Sequence, residues 1–493
     1  MIGFENICAE VQIVMLKKTS DMSEASNKNK KIWPILVHEK HGSSTEQLRL
    51  HEINNFTRFR RVSPIEYINS SNSNNSETFH CAIGSILGLA QLFGLFPLVG
   101  VRSTTPLQLR FEKLSIRTAY AVFVMGTILF IAIIATIHMI KTLSADTFEM
   151  RSGIAMSTAG AVFYGNSLLG MIIFFWLSPR WVPLQWEWRA MEQYIDSNNS
   201  EQPRLRWKFT LISIIVLVLA LIEHILSIMN NLSDYKWSGS ENSTFRYFLE
   251  VYTKQSHPFV FETLEYNLVL GIYIFIVSKF ATFTWNFTDL FIMLVSTGLA
   301  ERYSALNKKV MITVFRRRSA IAWRELREAY ALLSSIVKKV DNSISIIILL
   351  SFANNIYFIC LQLLNGLSDD ILCINDIIAF YMMDKRVKKD ATILSTVYFF
   401  GSFGFLIGRT CAVTLLTARI NDQSRIALPY LYTCSTSSYS TETERLQYQL
   451  TTDDIALTGL RFFSITRNFM LAVAGAIVTY EVVLLQFDDP RKK

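Results

Sequence analysis

Charge is what this sequence has least of. Only 18% of its 493 residues are Asp, Glu, Lys or Arg, against about 25% in an average soluble protein. At the same time 51% are hydrophobic and mean hydropathy is +0.29. A chain this long would ordinarily split into several soluble domains, each needing a charged surface. Charge this sparse and this clumped cannot supply those surfaces. Cysteine is scarce as well. Cys8, Cys81, Cys360, Cys373, Cys411 and Cys434 form no CxxC and no Cys/His metal spacing, so neither a disulfide framework nor a metal site is expected. HExxH, GxSxG, a P-loop and a strand-borne GxGxxG are all missing, so the chain reads as no enzyme and as needing no cofactor. The first 20 residues lack a charged-then-apolar signal pattern. The amino terminus is therefore expected in the cytosol, with the first spanning helix acting as insertion signal.

What the chain does contain is long apolar runs. Eight stand out, at roughly 81–101, 118–141, 154–177, 208–230, 266–297, 342–365, 392–418 and 461–487. About 20 apolar residues cross the ~30 Å of bilayer hydrocarbon as a helix, so the fold class is all-α and polytopic. The first run is the weak one, broken by Gly84, Gly88, Gly94 and Gly100 and carrying Gln91 and Pro97. The positive-inside rule tests it. If 81–101 does not span and the amino terminus is inside, 33 of the 48 Lys and Arg fall on the cytosolic side and 11 outside. If it does span, the partition is 21 to 23 and the bias disappears. Seven spans are therefore expected, with 81–101 interfacial or re-entrant and the carboxyl terminus extracellular. The net charge of +8 then reflects Lys and Arg held on one side of a membrane rather than a nucleic-acid surface. Glycosylation sequons do not discriminate. Asn231 and Asn242 fall outside as this topology requires, but Asn55, Asn74 and Asn198 fall inside.

The expected organisation follows. Residues 1–78 are a polar cytosolic tail, 79–117 an interfacial helix and linker, and 118–298 the first four spans. Residues 299–341 are basic, but Leu306, Val310, Val314, Ile321, Leu326, Leu332 and Ile336 recur near helical spacing. They are expected to be helices that continue below the membrane and pack there as a cytosolic anchor. Spans five and six occupy 342–418, a second anchor segment 419–460, the last span 461–487, and an extracellular tail 488–493.

Ionisable residues inside spans are costly, roughly 2.5–3.5 kcal/mol at the centre on insertion scales, and should face protein or water. Asp289 and Arg409 fall toward the cytosolic ends of their spans and suit a structural pair. Glu223 and His224 fall in an outer half. At similar depth lie Glu262, Glu265, Tyr266, Asn267, Asn355, Tyr357, Gln362 and Tyr398, with Tyr164 and Asn166 in the second span. Carboxylates, amides and aromatic rings converging in an outward cleft suit a polyhydroxylated ligand, because hydroxyls need both donors and acceptors and sugar C–H faces stack on rings. The competing reading is that these groups satisfy one another between helices. The candidate sugar-binding set is Glu223, His224, Glu265, Asn267, Asn355, Tyr357, Gln362 and Tyr398.

The last span ends Thr479-Tyr480-Glu481-Val482-Val483-Leu484-Leu485-Gln486-Phe487. This resembles the signature of the insect gustatory receptor family, Thr-Tyr, five mostly apolar residues, then Gln-Phe; Glu481 departs from an all-apolar middle and is similar to the sugar-receptor branch. Residues 79–101, Trp285 to Met293, Tyr357 to Leu363 and Arg409-Thr410 also resemble that branch, so the likeness runs from about 79 to 487. It implies the insect chemoreceptor ion-channel fold and a sugar-gated, non-selective cation channel of taste neurons in the plasma membrane. It also implies a homotetramer, or a heteromer with related receptors, with membrane lipid around it, cations permeating it, and the last helix lining the pore. Thr479, Val483 and Gln486 share one helix face. An apolar ring can close a pore by dewetting and a Gln ring can hydrate an ion; spacing alone fits a lipid- or protein-facing helix equally, and with the resemblance Val483, Leu484, Leu485, Gln486 and Phe487 are the candidate gate. Glu481 either attracts cations or bonds a neighbouring helix. The alternative function is a secondary transporter for a polar solute, although no internal repeat is evident.

Overall fold

The computed structural model describes residues 77–144, 151–196, 203–232, 245–316, 320–368, 386–435 and 439–487. The amino-terminal tail up to residue 76, the tail 488–493, and the sequons at Asn55, Asn74, Asn198 and Asn242 lie outside the described residues.

The first element, α1 (Phe79–Leu92), is 14 residues long. At 1.5 Å per residue it reaches about 21 Å, short of the ~30 Å of hydrocarbon. Thr78 caps it, its side chain accepting from the Cys81 N–H, and Phe79, Ile83, Leu87 and Ala90 are buried. A two-residue hairpin, β1 (Leu98–Val99) with β2 (Arg110–Phe111), follows in antiparallel register. The glycines that weaken this run in sequence are what let the chain fold back on itself. Gly100 has φ +83°, and a Cβ there would sit 2.2 Å from the Gln108 carbonyl oxygen; a Cβ at Gly84 would sit 2.3 Å from the Val101 carbonyl oxygen.

Long helices make up the remainder: α2 (Ile116–Ser144), α3 (Arg151–Asp196), α4 (Leu205–Asn231), the shorter α5 (Phe245–Ser256) and α6 (Pro258–Phe261), then α7 (Leu268–Phe315), α8 (Ala320–Ser368) and α9 (Arg386–Arg425). Then come α10 (Ala427–Tyr432), α11 (Thr441–Thr452), a hairpin of β3 (Thr458–Gly459) and β4 (Phe463–Ser464), and α12 (Arg467–Phe487). Among the described residues six stretches are long and apolar enough to cross a membrane, in α2, α3, α4, α7, α8 and α9–α10. The last, α12, has 21 residues, with side chains described only to Thr479.

Burial sorts these helices. Ile214, Ile215, Val218, Leu219, Leu221 and Ile222 of α4 are exposed, as are Val122, Phe123 and Ile133 of α2. Apolar faces this extensive suit contact with lipid or with another protein surface rather than water. By contrast, α7 is buried on every side from Asn286 to Tyr303 and is the central element. Its 48 residues span about 72 Å, more than twice the hydrocarbon thickness. It therefore continues beyond the membrane, where α7 and α8 pack through buried Leu306, Val310, Tyr330, Leu333 and Ile336. Charge holds this extension together. Arg302, 1% exposed, reaches Glu192 at 2.7 Å and Asp196 at 2.9 Å on α3. Glu192 also accepts the Phe79 N–H at 3.0 Å, which ties down α1. Glu301 takes Lys208 of α4 at 2.6 Å and Arg419 of α9 at 2.8 Å.

Gly100→Ala should destabilise the protein by more than about 1 kcal/mol, because both φ and space are wrong for a Cβ. Thermal melting of the purified variant checks this; an unshifted midpoint would show that the hairpin relaxes freely.

Candidate functional site

The polar residues of the spans converge on α7 between α3, α8 and α9. Asp289, fully buried, forms an ion pair with Arg409, whose Nε lies 2.8 Å from its carboxylate. Its carboxylate also accepts from the Ser351 hydroxyl and from the Asn355 amide at 3.0 Å. Arg409 in turn donates to the Asn286 carbonyl oxygen, and to that of Asn355 at 3.2 Å. Its guanidinium lies 4.6 Å from the centre of the Trp285 ring and 5.2 Å from that of Phe405. Both charges are thus desolvated but paired, with hydrogen bonds to Ser351, Asn355 and Asn286 around them, the arrangement in which a buried pair is tolerated.

Beside this pair is a small cavity between α3, α7 and α8. Phe163, Asn166 and Ser167 line it from α3, Thr284, Trp285 and Thr288 from α7, and Leu350, Ser351 and Asn354 from α8. Its free room is about 10 Å³, close to that of a single water. The Asn166 amide donates to Asn354 across it at 2.7 Å, and Phe163 lies edge-on to Trp285 at 5.9 Å. Two amides, four hydroxyls and two rings meet in one place, the mixture that holds a ligand rich in hydroxyl groups.

None of the eight residues expected to bind ligand lines this cavity, and they fall in four places. Glu223, Gln362 and Tyr398 do come together. Ser402 donates to Glu223 at 3.2 Å and accepts from Gln362 at 3.0 Å, and Tyr398 neighbours Glu223 and Ser402. His224 is adjacent, its Nε2 buried without a hydrogen-bond partner among the described residues. Asn355 sits elsewhere. It is part of the Asp289–Arg409 cluster because it lies one helical turn from Ser351, and both face Asp289. Tyr357 donates to Thr158 of α3 at 2.9 Å. Glu265 and Asn267 do not line the cavity. Asn267 is the amino-terminal cap of α7, accepting from the Leu270 N–H at 2.7 Å, and Glu265 is exposed in the preceding loop. Val483, Leu484, Leu485, Gln486 and Phe487 are placed as helix in α12, and their side chains lie outside the described residues.

Phe163, Trp285 and Asn354 were not singled out as ligand contacts. The usable signals were helical spacing, since Trp285 lies one turn before Asp289, and the tandem Asn354-Asn355. A second polar chain closes the far side of α3: Tyr164 lies 2.5 Å from Nε2 of the buried His257, whose Nδ1 meets the Ser256 hydroxyl at 2.7 Å.

The chain matches the trehalose receptor family over residues 22–384 and 382–493. It belongs to that family, which lies among the insect gustatory receptors. Among curated proteins it is 32% identical to the gustatory receptor for sugar taste 64a of Drosophila melanogaster, covering 86% of this chain and 87% of that one. It is 30% identical to that fly's gustatory receptor 5a for trehalose, covering 84% and 86%. In fold it is similar to the insect olfactory receptor OR5 from Machilis hrabei, at TM-score 0.55 and 17% identity over 82% of this chain and 97% of that one. The eugenol complex of the same receptor also scores 0.55. Membership of this receptor family favours a receptor over the transporter alternative and over an enzyme.

Two predictions concern this framework. Asp289→Ala strands the Arg409 guanidinium and should cost about 3–5 kcal/mol, read as loss of folded receptor in fluorescence-detected gel filtration; a yield equal to wild type would refute the pairing energetics. The second concerns acid. Burial, reinforced by Lys279, pushes the His257 imidazole down to about 3, and burial pushes His80 down to about 4. Each group binds its proton more readily unfolded than folded, so its stabilising effect is complete above the unfolded value near 6.5 and declines as pH falls toward the folded one. Melting temperature should drop between pH 7 and pH 5, with His257 accounting for about 2 kcal/mol at pH 5, and His257→Gln should flatten the slope. A wild-type melting temperature that rises with acid would refute this.

Proposed function

We propose that the chain is a sugar receptor of taste neurons acting as a ligand-gated, non-selective cation channel in the plasma membrane. The observation that carries the ligand class is the cavity at Trp285, where Phe163 and Trp285 offer rings and Asn166 and Asn354 offer amides. The relatives named for sugar taste and for trehalose support the same class. The topology proposed has seven spans, α1 remaining interfacial, the amino terminus cytosolic and the carboxyl terminus extracellular. Four copies, or this chain with related receptors, surround a pore lined by α12, with Val483 to Phe487 as the gate.

Coupling follows from the two sides of α8. One face presents Ser351 and Asn354 to the cavity. Between them, Phe352 lies edge-on to Phe463 at 5.9 Å and to Phe469 at 5.2 Å, and those two rings stack at 4.6 Å. Phe469 is in the first turn of α12. A cavity with room for about one water must widen to admit a sugar. Sugar therefore favours the arrangement in which α8 has moved, and the population shifts toward it. The aromatic trio carries that displacement to the pore helix.

Patch-clamp recording of the chain expressed alone, with a panel of sugars, tests this. The expected result is a sugar-evoked current reversing near zero. Trp285→Ala should raise the half-maximal sugar concentration of the channels that reach the surface about tenfold or more, equivalent to about 1.4 kcal/mol. Ion-coupled sugar uptake without unitary currents would sink the channel reading.

A further inference from the structure

We infer that the turn joining β2 to α2, together with Arg180 of α3, binds the headgroup of an anionic phospholipid. The turn is held against α3. Trp186 of α3 donates to the Pro106 carbonyl at 2.8 Å, and Phe111 lies edge-on to Phe175 at 5.9 Å. These contacts hold the turn beside α3 at the point where the apolar run of α3 gives way to Pro179 and Arg180 and where α2 begins at Ile116.

Two features of the turn have no purpose within the protein. Leu114 is 103% exposed and Ile116 89% exposed, so neither packs on any other part of the chain. Arg110 and Lys113 are exposed and have no partner among the described residues. On the neighbouring surface Arg180 lies over the Trp176 ring at 3.6 Å, with one N–H on the Trp176 carbonyl at 3.1 Å and the rest of the guanidinium outward. Trp176 is itself 44% exposed, as suits a ring at the headgroup level. Glu112 is the one acidic residue between Gly100 and Arg117, and Arg117 is already engaged by Gln91 and the Leu98 carbonyl.

A diacyl lipid with a net negative headgroup matches both features at once. Its phosphate and carboxylate oxygens accept from Arg110, Lys113 and Arg180, the guanidinium groups suiting two oxygens each. Its acyl chains cover Leu114, Ile116 and the Trp176 ring, with the lysine and arginine stems lying along them. In the proposed orientation this is the cytosolic leaflet, where anionic lipid is concentrated. A soluble anion would leave Leu114 and Ile116 in water, so the lipid is the occupant favoured.

The test is native mass spectrometry of the full-length receptor in detergent with equal amounts of palmitoyl-oleoyl phosphatidylserine and phosphatidylcholine. Wild type should retain phosphatidylserine about tenfold or more over phosphatidylcholine. Arg110→Gln and Lys113→Gln, both on exposed side chains that touch no core, should each lower that ratio about fivefold, and Leu114→Ala should reduce retention of both lipids. Equal retention by wild type, or an unchanged ratio in the Arg110→Gln/Lys113→Gln variant, would overturn the assignment. Displacement of phosphatidylserine by millimolar glycerophosphoserine would also overturn it, in favour of a soluble anion.

Discussion

The ion pair between Asp289 and Arg409 is the constraint around which the membrane-embedded part is arranged. Neither charge can be placed in hydrocarbon alone, and neither is satisfied by the other alone. The carboxylate needs Ser351 and Asn355 of α8, and the guanidinium needs Asn286 and the Trp285 face of α7. Three helices must therefore meet at one depth and in one rotational setting. A purely apolar contact would tolerate sliding, because hydrophobic burial has no direction. Hydrogen bonds to a buried charge do not, and they fix the register of α7, α8 and α9.

The cavity is a consequence of that register. Trp285 is held by its contacts with Arg409 and Asn355, and Ser351 is held by Asp289. Both also line the space beside Asn166 and Asn354. The groups that line the cavity are thus oriented by groups outside it. The same logic recurs beyond the membrane, where Arg302, Glu192 and Asp196 fix α7 against α3 and connect to the backbone of Phe79. The central helix is clamped by charge at two depths, with apolar packing between.

Much of this was legible in the sequence. Hydrophobic run length marked the six long apolar helices, and apolar spacing in 299–341 marked the continuation of α7 and α8, while the one-sidedness of Lys and Arg carries a topology that stays a proposal. Asp289 and Arg409 were visible as partners because two opposite charges at one depth in apolar runs have few other options. The site was read less well, for a physical reason. Sequence places a residue at a depth, but contact also depends on the direction in which the residue faces around the helix axis. Asn355 and Gln362 are seven residues apart on α8 and join different clusters, one with Asp289 and the other with Ser402. Asn267 has the composition of a ligand contact but is a helix cap. Trp285 was hidden inside an apolar stretch, where an aromatic ring is ordinarily core.

The small size of the cavity sharpens what a ligand would have to do. Its polar groups are already paired with one another, Asn166 with Asn354 and Ser167 with the Ala281 carbonyl. A sugar entering here would not find vacant donors; it would have to replace protein–protein hydrogen bonds by protein–sugar ones, which makes the net gain from polar contacts small. The larger differential term is then ring stacking and the expulsion of water as the helices separate around the ligand. That term exists only in the widened arrangement, and a ligand shifts an equilibrium only through such a difference. A pocket nearly closed at rest is therefore suited to a receptor that must stay silent without its stimulus. It ties affinity to movement of α8, the helix that also carries Phe352 against the start of α12.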